Sequence, residues 1–184
     1  MYHIKQDQRS LTSAKMLQDG LYKCLTDKKY VDITISQLCE ISYVSRTTFY
    51  RLFDEIDDLL QYTLDSLSDK AIEEMRPDEN TTPKEYLQFY LSFIKENGRL
   101  YETAILSGRT EIMARSMLRI PKNRPVSKYD VDFSENEKDY LIAFIISTVT
   151  TLYKVNLLHG KKETPEDLWN ILLKVIRSFD EGIV

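Results

Sequence analysis

Apolar residues return along this chain every three or four positions, the beat of an α-helix rather than the alternation of a strand. "SLTSAKMLQDGLYKCL" (10–25) puts Ala14, Leu17, Leu21 and Leu25 on one stripe, which predicts an amphipathic first helix. "TISQLCEI" (34–41) starts on Thr34 and carries Gln37 three residues later, a capping-box pattern that opens a short second helix. Ser45 caps a third helix, and Val44 before it is placed to staple onto Phe49 at the fourth helical position. Only "SYV" separates the second helix from the third.

Two short helices joined so tightly, behind a longer one, predict a helix-turn-helix. Phe49 and Phe53, at i and i+4, take the inner face of the third helix. At ~100° per residue, Arg46, Thr47, Tyr50 and Arg51 then point outward. That outward set mixes cations with hydroxyls, groups suited to phosphate oxygens and base edges.

The same punctuation continues downstream. Thr82-Pro83-Lys84-Glu85 is an N-cap, a proline at the first helical position and a capping acid, and Thr164-Pro165-Glu166-Asp167 repeats the form with Asp last. Gly98 and Gly108 divide the stretch between into shorter helices. Ser134 with Glu137 starts a helix of about 25 residues, ~37 Å, that runs past His159 to a stop at Gly160. "RIPKNRPVSKYDVD" reads as a loop, and its Arg119, Lys122, Arg124 and Lys128 as a solvated basic stretch rather than a second nucleic-acid site.

The last two helices are apolar on more than one side. Leu141, Phe144, Ile145, Ile146, Val149, Leu152 and Tyr153 cannot all face one neighbour. Leu168, Ile171, Leu172, Val175 and Phe179 form one stripe of the final helix, and Trp169, Leu173 and Ile176 another. A second copy of the chain accounts for the surplus. A homodimer through a four-helix interface is expected, using Phe144, Val149, Leu152, Leu168, Trp169, Leu172 and Ile176.

Composition narrows the class. The 184 residues are 42% hydrophobic and 29% charged with only 5 Gly and 5 Pro, which suits an all-α chain better than a sandwich or barrel. No leader-like apolar core opens the sequence, and no uninterrupted apolar run reaches the roughly 18 residues of a membrane span, so a cytoplasmic, membrane-free protein is expected. Cys24 and Cys39 lack CxxC spacing and read as buried reduced thiols. With two histidines, no Cys/His cluster, no Gly-rich phosphate loop and no nucleophile beside an evident base, neither an enzyme nor a cofactor is expected. A net charge of −4 argues against coating nucleic acid non-specifically but allows one local basic face.

The run "DITISQLCEISYVSRTTFYRLFDEIDDLL" from Asp32, behind its amphipathic helix, resembles the reading domain of TetR-family transcriptional regulators. The match lies in the Ile-Thr start, an aliphatic then a small residue in the second helix, Val-Ser-Arg, Thr-Phe-Tyr, Phe and Leu, and it covers roughly 50 residues. The resemblance implies a helix-turn-helix DNA-binding domain over 1–53 and a helical ligand-binding and dimerisation domain over 54–184. It implies that Thr34 and Tyr50 touch phosphates and that Arg46 and Thr47 meet base edges, with Arg51 beside them. Lys5 and Arg9 would add phosphate contacts from a flexible N-terminal arm that also holds His3. The partners implied are double-stranded DNA carrying an inverted-repeat operator and a small-molecule effector that releases it. Tyr86, Phe89, Tyr90, Phe93, Tyr101, Met113 and Met117, facing Tyr140 and Phe144, are the candidate lining for an apolar effector with few polar groups.

Two positions depart from the family pattern. Tyr43 stands in the turn where glycine is usual, and a left-handed backbone there would be strained. Ile56 stands where a phosphate-contacting lysine is usual, amid Asp54, Glu55, Asp57 and Asp58. Residues 1–53 hold eight Lys and Arg against five Asp and Glu; adding 54–60 makes it eight against nine. A basic face with an acidic flank also fits a TetR-like adaptor that has lost operator binding and docks proteins on its acids.

Overall fold

The structure is a computed structural model that describes residues 2–76, 78–118 and 133–180, so the expected basic loop with Arg119, Lys122, Arg124 and Lys128 lies outside the described residues. Among these residues the fold is all-α, with no strand. The helices are α1 (Gln8–Asp27), α2 (Ile35–Ser42), α3 (Arg46–Leu52), α4 (Ile56–Met75), α5 (Pro83–Glu96), α6 (Gly98–Leu106), α7 (Thr110–Met117), α8 (Glu135–Leu158) and α9 (Pro165–Asp180). A 3-10 turn, Tyr30–Asp32, leads into α2.

Local caps set most of these boundaries. Thr34, Thr82 and Ser134 each close a reciprocal capping box with Gln37, Glu85 and Glu137. Asp167 accepts from the backbone N–H and hydroxyl of Thr164 at the start of α9. Three helices exit through the same left-handed motif. Val44 N–H donates to Cys39 C=O at 3.0 Å, Arg109 N–H to Ala104 C=O at 2.6 Å, and Lys161 N–H to Asn156 C=O at 2.7 Å. The left-handed residues in these exits are Tyr43, Gly108 and the pair Gly160 and Lys161.

By packing the chain divides into two units. One unit holds residues up to Asp69 together with Arg99–Ser116; the other holds Lys70–Gly98 and the chain from Met117 on. The first half of α4 joins the N-terminal helices because Leu59, Leu60 and Leu64 are fully buried there, with Leu17, Leu21, Leu38, Phe49, Leu52 and Phe53. Side chains tie the 99–116 segment in as well: Arg99 donates to Thr26 Oγ1 at 2.9 Å and Gln61 to Ser116 Oγ at 2.6 Å. In the other unit α5 packs on α8 and α9 around Leu87, Leu91, Phe93, Ile94, Ile146, Val149, Tyr153 and Leu168.

Helix α1 packs on α2 and α3. It comes close to α2 at Gly20, where an added Cβ would sit 2.8 Å from Ser42 Cβ and 3.4 Å from its Cα. Ser42 is itself buried and fixed by donating to Leu38 C=O at 2.7 Å, so it cannot swing aside. Gly20→Ala should therefore lose stability although alanine favours a helix by about 1 kcal/mol over glycine. Forced overpacking costs about 1–3 kcal/mol. A urea titration should show a lower midpoint at unchanged slope; a raised midpoint would mean the two helices can separate freely.

Candidate nucleic-acid interface

Phe49, Leu52 and Phe53 are essentially inaccessible, so the inner face of α3 is committed to the core. Arg46, Thr47, Tyr50 and Arg51 are all exposed, as the helical spacing requires. Among the described residues neither arginine enters an ion pair, and both guanidinium groups keep all their donors for an outside partner. Ser45 caps α3 by accepting from Thr48 N–H at 3.1 Å. Thr34 is exposed at the start of α2; its oxygen accepts from Gln37 N–H at 3.3 Å, which leaves the hydroxyl proton to donate elsewhere. Anions are favoured at such a helix start by its free N–H groups and dipole.

The N-terminal segment corrects the expectation of a flexible arm. His3 N–H donates to Leu52 C=O at 2.8 Å, extending the end of α3, and the Tyr2 hydroxyl donates to buried Asp65 at 2.7 Å. Tyr2 also packs edge-on against Tyr62 with ring centres 5.3 Å apart. An aromatic residue with a buried acceptor for its hydroxyl is what fastens the segment. Lys5 and Arg9 are exposed, Arg9 in the first turn of α1.

Three of the four acids beside this face have separate occupations. Asp58 is buried and caps α4 from inside, accepting from the backbone N–H groups of Asp54 (3.0 Å) and Glu55 (3.3 Å). Oδ1 of Asp57 accepts from the Tyr30 hydroxyl and from Arg109 Nε, each at 2.7 Å. Asp54 lies 3.2 Å from His3 Nε2. Burial, then the bond to Asp57, holds the Tyr30 hydroxyl well above the usual tyrosine range, so it stays a donor. The same carboxylate raises Arg109 above its ordinary value. Arg109 and Tyr30 were invisible as site residues in the sequence, because nothing local marks a partner far along the chain.

The other expected site residues fall in both units. Tyr101 and Met113 are core residues of the first unit, whereas Tyr86, Phe89, Tyr90, Phe93 and Met117 belong to the second. Phe89 stacks on Phe93 at 5.9 Å, and burial pushes Tyr90 up to about 12. Tyr140 is 77% exposed and Phe144 55%, so neither is turned into the chain's own interior. A recess lined by Leu91, Lys95, Tyr153, Asn156, Pro165 and Leu168 offers about 10 Å³, room for one water molecule. Cys24 and Cys39 are buried free thiols, pushed up chiefly by burial.

The expected dimer residues also divide. Val149 (0% exposed) and Leu168 (5%) are core of their own chain, and Leu152, Trp169 and Leu172 are half-buried. Phe144 and Ile176 are exposed, and with them Tyr140, Val155, Leu158, Ile171, Val175 and Phe179. By length and composition the Asn136–Leu158 part of α8 could also cross a membrane, at a mean hydropathy of 1.7 and 28% buried.

No protein-family model matches this chain, and no curated protein matches it.

The backbone at Tyr43 (φ 55°, ψ 31°) lies in the left-handed region, and the side chain is 87% exposed. Almost no packing repays the strain of roughly 1–2 kcal/mol. Tyr43→Gly should stabilise the fold by about 0.5–1 kcal/mol after glycine's greater unfolded-state entropy is deducted. Thermal unfolding should rise by roughly 2–3 °C for a chain this long; a fall would show that the Tyr43 ring is held by contacts worth more than the strain.

Proposed function

We propose that this chain is a DNA-binding transcription regulator of the TetR type, a dimeric repressor that reads an inverted-repeat operator and is released by a small-molecule effector. The observation that carries the reading is the division of α3. Its apolar side is sunk in the core, and Arg46, Thr47, Tyr50 and Arg51 stand exposed on a helix delivered by a tight left-handed turn. α2 and α3 are then the helix-turn-helix, with α3 laid in a major groove and Thr34 at the start of α2 on a phosphate. Release by an effector follows from the family resemblance alone.

The adaptor alternative loses ground on the acids. Two of the four carboxylates it needs for docking, Asp57 and Asp58, are engaged inside the reading unit.

A regulator of inverted repeats needs a two-fold axis, and α8 with α9 offers the apolar surface for it. Ile146, Val149, Tyr153 and Leu168 are committed to the chain's own core. Ile171, Val175 and Phe179 form an exposed stripe at four-residue spacing along α9, and Phe144, Val155 and Leu158 are exposed on α8. A second copy covers both. A bilayer would suit α8, but not an α9 that carries Lys174 and Arg177 beside that stripe.

Purified protein mixed with sheared source DNA at ~100 mM salt should retain fragments sharing an inverted repeat, and Arg46→Ala should abolish the enrichment. Retention of no common sequence, even at low salt, would end the operator-reading proposal.

Light scattering should give the mass of two chains for the wild type and of one for Ile171→Glu/Val175→Glu, with helix content kept. A dimeric variant would move the axis elsewhere, and recovery of the wild type with membranes would replace the second copy by a bilayer.

A further inference from the structure

Tyr30, Asp57 and Arg109 meet in one cluster drawn from three places in the chain. Tyr30 opens the 3-10 turn that delivers Thr34 to the start of α2, with Ile33 between them buried. Asp57 lies in the first turn of α4. Arg109 follows the left-handed Gly108, its own N–H bound to Ala104 C=O, and it begins the last turn before α7.

One carboxylate oxygen of Asp57 takes both the tyrosine hydroxyl and the guanidinium Nε at 2.7 Å. The guanidinium lies over the Tyr30 ring at 4.9 Å and donates again to Ser107 C=O at 2.8 Å. Arg109 and Asp57 side chains are each 31% exposed, so solvent screens this pair far less than it would a surface one. A planar fork that bonds and stacks at once fixes position as well as charge.

Resting on the DNA-reading proposal, we infer that Tyr30, Asp57 and Arg109 are positioning residues for the operator: they lock the start of α2 to the start of α4. Both helix starts flank α3 in sequence, and a phosphate contact from Thr34 together with base contacts from α3 requires their spacing to hold within about half an ångström. Arg109, 52 residues from Asp57, thereby governs DNA affinity without being a phosphate contact.

Charge alone predicts the opposite sign for one variant, and that separates the two accounts. Asp57→Asn removes a negative charge beside a phosphate-binding face; an electrostatic flank would then bind DNA more tightly. A positioning latch would bind it more weakly.

The experiment uses the full-length dimer and the best-enriched fragment, with affinity measured by fluorescence anisotropy across a salt series. Arg109→Gln, Asp57→Asn and the charge-neutral Tyr30→Phe should each weaken binding, the first two about tenfold. The salt slope should stay as in the wild type, because no phosphate contact is lost. The Arg109→Gln/Asp57→Asn pair should lose far less than the sum of the two, and Arg109→Lys should recover part of the affinity. Circular dichroism establishes that each variant is folded at the assay temperature, and Tyr30→Phe, the mildest change, keeps the test alive if the others unfold. Hydrogen exchange should quicken over residues 30–37 and 54–60 in Arg109→Gln.

Tighter binding by Asp57→Asn, a salt slope reduced by about one in Arg109→Gln, or affinities within twofold of wild type for all three would overturn the latch while leaving the operator reading intact. If the wild type enriches no fragment, the operator reading falls and the latch with it.

Discussion

The outward face of α3 is only as well placed as the aromatic rings beneath it. Seven residues are too few for a helix to persist alone, since nucleation costs more than so short a run of hydrogen bonds returns. What holds it is burial. Phe49 and Phe53 are wholly inaccessible with ring centres 5.8 Å apart; Phe53 meets Tyr62 of α4 at 5.9 Å, and Tyr62 meets Tyr2 at 5.3 Å. Each buried phenylalanine contributes about 1.5–3 kcal/mol, a large part of a typical domain's net stability. The ladder runs from α3 through α4 to the N-terminal segment, so helix, support and chain start form one rigid piece. Rigidity is what a face of two arginines, a threonine and a tyrosine needs to present a fixed pattern of donors.

The turn leading into α3 is the weak point of that piece. Three exits share one hydrogen-bond scheme, and at two of them glycine takes the left-handed position without steric cost. At the exit from α2 that position is taken by Tyr43, with its ring in solvent. Strain thus sits at the joint that sets the angle between α2 and α3, and the neighbouring contact of Gly20 with Ser42 leaves that joint little room to relax.

Much of the helical frame was legible because caps are local. Thr34 with Gln37, Ser45, Thr82 with Glu85, Ser134 with Glu137 and Thr164 with Asp167 each act within one turn, so spacing alone reveals them. The outward set on α3 was legible for the same reason, since periodicity decides which side faces in. The last two helices were not. Periodicity finds two apolar stripes on α9 but cannot rank them, and Leu168, expected at the dimer surface, lies in the core, whereas Ile171 and Phe179 are exposed. The middle aromatics are no easier to sort: Tyr101 and Met113 are buried, and composition does not separate a core from a lined cavity. Tyr30 and Arg109 left no trace at all, being joined only by the fold.

The acidic flank shows why a count of charges is a poor guide to a surface. Four carboxylates beside a basic helix suggest a face that repels phosphate. Yet carboxylates at a helix start are stabilised by free N–H groups, and that is the use the fold makes of Asp58. Asp57 is matched by a guanidinium and a phenol, so its field outside the molecule is largely that of a neutral pair. What remains toward solvent is Asp54, with His3 beside it, and Glu55. Arg46 and Arg51 have no such partner among the described residues. Where the sequence counts a net negative stretch, the folded chain leaves Arg46 and Arg51 exposed and engages Asp57 and Asp58 within its own first unit.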